Sequence, residues 1–144
     1  MAIEESTSII ADLINEFCWR VDNGRGDEVA ALFTKDGTVD TPHFNLAGLD
    51  EIHSWFSARA TGATRISRHF VTNLRIRKEE DESYVAEAYS MTLVGVPPVP
   101  CQGSRLAAGT STDRIVIEGG KALFASRRLD LAFEGQVGEL ELHP

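Results

Sequence analysis

The sequence predicts an α+β fold, a cone-shaped roll in which a curved, mainly antiparallel sheet wraps around three N-terminal helices. Two observations carry this expectation. Up to Ala60, apolar residues recur at spacings of three and four, with one short strand between; from Arg65 onward the period falls to two. The later segments are also long and separated by short turn signals, which suits antiparallel neighbours.

Glu4–Asp22 reads as the first helix. Ile9, Ile10, Leu13, Ile14, Phe17 and Val21 form one apolar stripe, and Asn23-Gly24 supplies a left-handed stop. Asp27 is placed to cap a short second helix through Phe33 that buries Val29, Leu32 and Phe33. Asp36-Gly37 marks a turn before a short strand, Thr38–Thr41, that ends at Pro42. A third helix, Glu51–Ala60, follows Asp50 and carries Ile52, Trp55 and Phe56 on one face. Four strands then follow: Arg65–Lys78, Ser83–Val96, Ser104–Ile117 and Lys121–Phe133. The acidic run Glu79–Glu82 and the pair Gly119-Gly120 are turns. Val96-Pro97-Pro98-Val99-Pro100 cannot lie within a sheet, since each proline removes a ladder donor, and is expected to be a loop over a cavity mouth. The aromatic set Trp19, Phe33, Phe44, Trp55, Phe56, Phe70, Phe124 and Phe133 is expected to build core and pocket wall. The tail 135–144 has no pattern and is expected to be loosely ordered, within a single domain spanning 1–144.

Composition narrows the function. The chain has 144 residues and a net charge of −8, which argues against nucleic-acid binding because phosphate contacts need clustered Lys and Arg. Its apolar runs are too short to cross a bilayer, and the acidic start Met1-Ala2-Ile3-Glu4-Glu5 lacks the pattern of a secretory signal. Cys18 and Cys101 fit two reduced thiols in a cytoplasmic protein. No His, Asp, Glu or Cys cluster has metal-ligand spacing, and the expected partner is a small-molecule substrate handled without a cofactor or metal.

Two polar residues interrupt otherwise apolar surroundings: Asp22 at the end of the first helix and His69 near the start of the first long strand. Each alone has a plain structural reading, a helix-end carboxylate bonded to the next turn or a strand histidine bonded to backbone. Together they suit acid–base chemistry. A carboxylate that accepts from one imidazole nitrogen fixes the tautomer and leaves the other nitrogen free to take a proton. An unperturbed imidazole titrates at about 6.5, close to what a general base needs at neutral pH. By strand parity Thr41, Ser90 and Thr92 are candidates to polarise a substrate oxygen. Phe17, Val21, Phe56 and Val71 are candidates for the apolar wall of a substrate-binding pocket. His43 and His53 are expected to be exposed, and Asn73 to satisfy backbone groups within the sheet.

The segments Val21-Asp22-Asn23-Gly24, Asp27–Asp40 and Arg68–Ile76 resemble the SnoaL-like branch of the nuclear-transport-factor-2-like superfamily, whose members have cystatin-like α+β cone folds. The likeness runs to about Phe133 and is strongest toward scytalone dehydratases and hexachlorocyclohexane dehydrochlorinases. The resemblance implies an Asp22–His69 dyad with His69 as base, and a two-fold homodimer. It also implies a basic residue on the last strand that supports a leaving group, for which Arg127 is the nearest match and Arg128 its neighbour. Val21 and Thr41 stand where scytalone dehydratases carry tyrosines, and Ser83–Val96 lacks their second histidine, which argues against scytalone as substrate. The implied activity is a dehydratase-like elimination on a compact apolar or cyclic molecule. Alternatives on the same fold are an isomerase or cyclase, a ligand-binding protein, or a partner resembling a dioxygenase small subunit.

Overall fold

In a computed structural model, which describes residues 2–61, 64–102 and 104–138, the chain opens with α1 (Ile3–Asp22). Ile10, Leu13, Ile14 and Phe17 sit at helical spacing and are buried, and Glu4 and Glu5 place negative charge in the first turn, where the helix dipole favours it. The helix stops at Asn23, whose backbone N–H bonds the Trp19 carbonyl, and Gly24 takes the left-handed conformation at φ +72°.

The predicted second helix is absent as such. Its place is taken by two single 3₁₀ turns, Gly26–Glu28 and Ala30–Leu32, and the side chain of Asp27 does not cap either of them. Val29 and Leu32 are buried as expected, and the two 3₁₀ turns bury both without a regular α-helix. Gly26 lies against α2, where an added Cβ would meet the Phe56 carbonyl oxygen at 2.1 Å.

Strand β1 spans Phe33–Asp40 and so begins earlier than the sequence suggests. Asp36-Gly37 lies inside it, at an irregularity of register between Phe33 and Thr38, and does not precede it. A short unforeseen strand, β2 (Asn45–Ala47), pairs with β1, and α2 covers Leu49–Thr61. The long strands β3 (Ile66–Lys78), β4 (Tyr84–Gly95), β5 (Ser104–Glu118) and β6 (Lys121–Val137) follow. The sheet order is β2-β1-β6-β5-β4-β3, with β1 and β6 parallel and the other pairs antiparallel. The segment from Glu134 is therefore not loose up to Val137, because it pairs with Ser104–Ala107 of β5. The rest of the predicted tail, 139–144, lies outside the described residues.

Helix α1 packs against β3 and β6, on the concave side of the sheet. Phe17 meets Phe33, Phe56 and Phe124 edge-on at centroid distances of 6.2, 5.6 and 5.9 Å, which ties helix to sheet at one point. Ile10, Ile14, Val29, Ile52 and Ile115 complete this end of the core. Three members of the aromatic set do not join it: Trp19, Phe70 and Phe133 are exposed. Trp19 falls on the solvent side of α1. Phe70 and Phe133 fall on the outer face of the sheet, in one cross-strand row with Met91 and Ala108.

The alternation of β3 reverses partway along. Ser67, His69 and Val71 turn inward, whereas beyond a bulge at Thr72–Arg75 the inward residues are Leu74 and Ile76. Asn73 sits in this bulge at φ +57°, a conformation asparagine tolerates better than most side chains. It is exposed, so the expectation that it satisfies buried backbone groups is corrected. No described helix is long and apolar enough to cross a membrane.

Candidate active site

The phenylalanine cluster reaches into the hollow of the cone, where Phe17 and Phe56 also form part of the cavity wall. The cavity has a volume of about 430 Å³. Each element contributes through its inward face: α1 gives Phe17, Cys18 and Val21; α2 gives Trp55, Phe56 and Arg59; β3 gives His69 and Val71; and β4 gives Ser90 and Thr92. Val39, Asp40 and Thr41 close one side, and Asp113 and Arg127 close the floor. The Pro97–Pro100 loop does not line this cavity, contrary to expectation. Val94 is the last residue of β4 to line it, and Val96 and Val99 are exposed to solvent.

Asp22 is the last residue of α1, so its side chain leaves the helix end toward the first residues of β3. There it accepts three hydrogen bonds. Oδ1 receives the Ser67 hydroxyl at 2.7 Å and the His69 Nδ1–H at 2.6 Å, and Oδ2 receives the His69 backbone N–H at 2.8 Å. Ser67 and His69 are two apart in a strand, so both side chains reach the same carboxylate. The pair is shielded, with 8% of the Asp22 side chain and 20% of the His69 side chain exposed. Burial alone would push the Asp22 carboxyl up. The hydrogen bonds from the His69 ring and the Ser67 hydroxyl, helped by the His69 backbone N–H, outweigh it and hold the carboxyl below its ordinary range. An ionised Asp22 requires the proton on Nδ1, which leaves the Nε2 lone pair of a neutral imidazole without a protein partner among the described residues.

Arg127 and Arg128 both line the cavity, but only Arg127 is buried in the fold. Its guanidinium is bidentate to Asp113, at 2.9 and 3.0 Å, and lies between the rings of Phe17 and Phe124, 4.1 and 4.4 Å from their centroids. Arg128 is exposed and paired with Asp130. Burial pushes the Asp113 carboxyl up against the opposing pull of Arg127. Nothing in the local sequence distinguishes Asp113, and only its cross-strand position opposite Arg127 could have identified it.

Thr41 faces the cavity, but its hydroxyl donates to the Phe44 carbonyl and accepts from the Phe44 and His43 N–H groups, so it is committed to its own turn. Ser90 and Thr92 are therefore the better-placed hydroxyls. They stand opposite Val71 and His69 in the β3–β4 register. His43 is exposed at the rim, where it and Arg105 share Glu134; His53 is exposed on α2. Cys18 lines the cavity, and burial pushes its thiol up to about 11, so it stays protonated at neutral pH and is a poor nucleophile. No group of three His, Cys, Asp or Glu among the described residues is placed to hold a metal ion.

Two stability predictions follow from this geometry. The folded protein holds the Asp22 proton more weakly than the unfolded chain, so near the ordinary carboxylate pKa the unfolded state binds more protons. The stabilisation is complete above about pH 3.8 and is lost as pH falls through the lowered folded value. Urea unfolding of wild type and Asp22→Asn should differ at neutral pH and converge on acidification; a gap that is constant with pH would contradict the assignment. Second, Arg127→Met should cost about 3–5 kcal/mol by leaving Asp113 buried and unpaired, and Arg127→Met with Asp113→Leu should recover most of it. Additive losses in the double variant would count against the pairing.

Residues 4–128 match the family defined by the SnoaL-like domain. Among solved structures, a candidate scytalone dehydratase from Novosphingobium aromaticivorans superposes with a TM-score of 0.79 at 16% identity, covering 96% of this chain and 95% of that one. A type 2 hexachlorocyclohexane dehydrochlorinase, LinA, gives 0.79 at 16% identity, with 96% and 93% covered. ActVI-ORFA from Streptomyces coelicolor gives 0.76 at 18% identity, with 88% and 96% covered. Identities this low show a common fold and no more. A search of curated protein sequences returned no match. The family match spans most of the chain and agrees with the cone and its inward-facing strands: the protein belongs to the SnoaL-like family.

Proposed function

We propose that this protein is a small lyase that eliminates water or a similar leaving group from a compact apolar or cyclic substrate, with His69 as general base and Asp22 as its orienting partner. The observation that carries this reading is the 2.6 Å contact between Asp22 and His69 Nδ1 at the wall of a 430 Å³ cavity. In the proposed step, Nε2 takes a proton from a carbon beside a carbonyl. The electron pair of that C–H bond moves to form the double bond, and the leaving group departs with its own pair, a hydroxide taking the proton back from the imidazolium to leave as water. The imidazolium formed is stabilised by the Asp22 carboxylate. Ser90 or Thr92 donates to the oxygen on which charge develops, and Phe17, Val21, Phe56 and Val71 exclude water around it. An isomerase or cyclase would begin with the same deprotonation. The named activities of a dehydrochlorinase and a candidate scytalone dehydratase among the structural neighbours support elimination as the outcome.

We also propose a two-fold homodimer formed across the outer face of the sheet, where Phe70, Met91, Ala108 and Phe133 make one apolar row with Tyr89 beside it. Phe70, Tyr89 and Phe133 are each about half exposed or more, at 49%, 59% and 69%.

Two measurements test these readings. Proton abstraction is detectable without the natural substrate, as deuterium uptake from D₂O at the carbon beside the carbonyl of a cyclic aromatic ketone such as 2-tetralone, followed by NMR. Wild type should accelerate exchange, and His69→Ala and Asp22→Asn should lower it by roughly 10²–10⁴-fold while keeping their circular dichroism. Full exchange by folded His69→Ala would end the proposal. Sedimentation equilibrium should show a dimer for wild type and a monomer for Phe133→Arg; a wild-type monomer would refute the interface.

A further inference from the structure

The Asp22–His69 pair leaves some of the charges along the cavity unaccounted for. Two arginines, Arg59 near the end of α2 and Arg65 just before β3, line the cavity. They also line a second hollow of about 60 Å³ that runs beside Asp22 and Ser67, so they stand where the two spaces meet. The other arginines facing the cavity are balanced: Arg127 by Asp113, Arg105 by Glu134 and Arg128 by Asp130. Neither Arg59 nor Arg65 has a carboxylate within 4.0 Å among the described residues. Asp22, the nearest acid in that hollow, already spends its oxygens on Ser67 and His69.

The unmet groups are all donors. Arg59 Nε and Trp55 Nε1 are buried without a hydrogen-bond partner, one turn apart on α2, and both residues line the cavity. These two atoms are closed off, with the Arg59 guanidinium lying over the Trp55 ring, so Arg59 meets the cavity through its terminal nitrogens, which have no hydrogen-bond partner among the described residues. Burial lowers the pKa of Arg65, consistent with a guanidinium partly withdrawn from water and given no counter-ion. This unbalanced positive charge lies inside a protein of net charge −8, whose long-range field repels anions. A planar guanidinium fork matches the two oxygens of a carboxylate.

We propose that the cavity takes a substrate bearing a carboxylate, held by the guanidinium groups of Arg59 and Arg65, with its apolar body against Phe17, Val21 and Phe56. This names the substrate class for the elimination proposed above and rests on that reading, but the binding can be measured without turnover. The purified full chain is titrated calorimetrically with benzoate and cyclohexanecarboxylate, with the matching amides benzamide and cyclohexanecarboxamide, and with inorganic phosphate. The acids should bind roughly tenfold or more tightly than their amides. That gap should vanish in Arg65→Gln, and in Arg59→Gln where circular dichroism shows it folded. Amides binding as tightly as acids, phosphate binding as tightly as the acids, no binding by either acid, or a gap that survives Arg65→Gln would each overturn the assignment. His69→Ala should keep the acid–amide gap while losing ketone exchange. Retained exchange in that variant would sink the lyase reading alone and leave the carboxylate site standing.

Discussion

The Asp22 carboxylate is the joint on which the rest of the site depends. It ends α1, and its two oxygens together accept a hydroxyl, a ring N–H and a backbone N–H from one strand. A buried carboxylate is expensive unless its lone pairs are used, and here three donors from three bonding groups of β3 use them. The same contacts that hold the helix end against the sheet also fix the imidazole tautomer. Two effects are therefore inseparable at Asp22: the bonds that hold the His69 imidazole also lower the pKa of the carboxylate that holds it.

A second joint closes the floor of the cavity by different physics. Arg127 and Asp113 are almost fully buried, and the guanidinium is held by a bidentate carboxylate and two aromatic faces. Such an arrangement satisfies charge, planarity and shape at once, and Phe17 serves in both the core cluster and this sandwich. Balanced charge on the floor contrasts with unbalanced charge at Arg59 and Arg65. On the proposed carboxylate site, that asymmetry would draw the charged end of a ligand toward Arg59 and Arg65.

Much of this was readable from local pattern. The stripe Ile10, Leu13, Ile14 and Phe17 announces the buried face of α1, and alternation from Arg65 announces the long strands. Asp22 and His69 stand out because each is polar where the pattern calls for an apolar residue. The inward placement of Ser90, Thr92 and Val71 follows from parity with His69 across the β3–β4 register. Other features had no local signal. Parity carried past Asn73 gives the wrong face for Leu74 and Ile76, because the bulge inserts a residue that no period-two pattern reveals. The turns at Gly26–Glu28 and Ala30–Leu32 read as a helix because burial of Val29 and Leu32 is compatible with both.

By itself, then, the sequence determined the period of each element, the cone architecture those periods imply, and the two polar interruptions worth testing, since these depend only on neighbours along the chain. It could not determine which charges meet. The Arg127–Asp113 pair, the three donors converging on Asp22, and the absence among the described residues of a carboxylate within 4.0 Å of Arg59 or Arg65 all depend on strand register and on where helix ends land against the sheet. Electrostatic pairing acts over a few ångströms in space between residues far apart in the chain, and only the tertiary structure sets those distances.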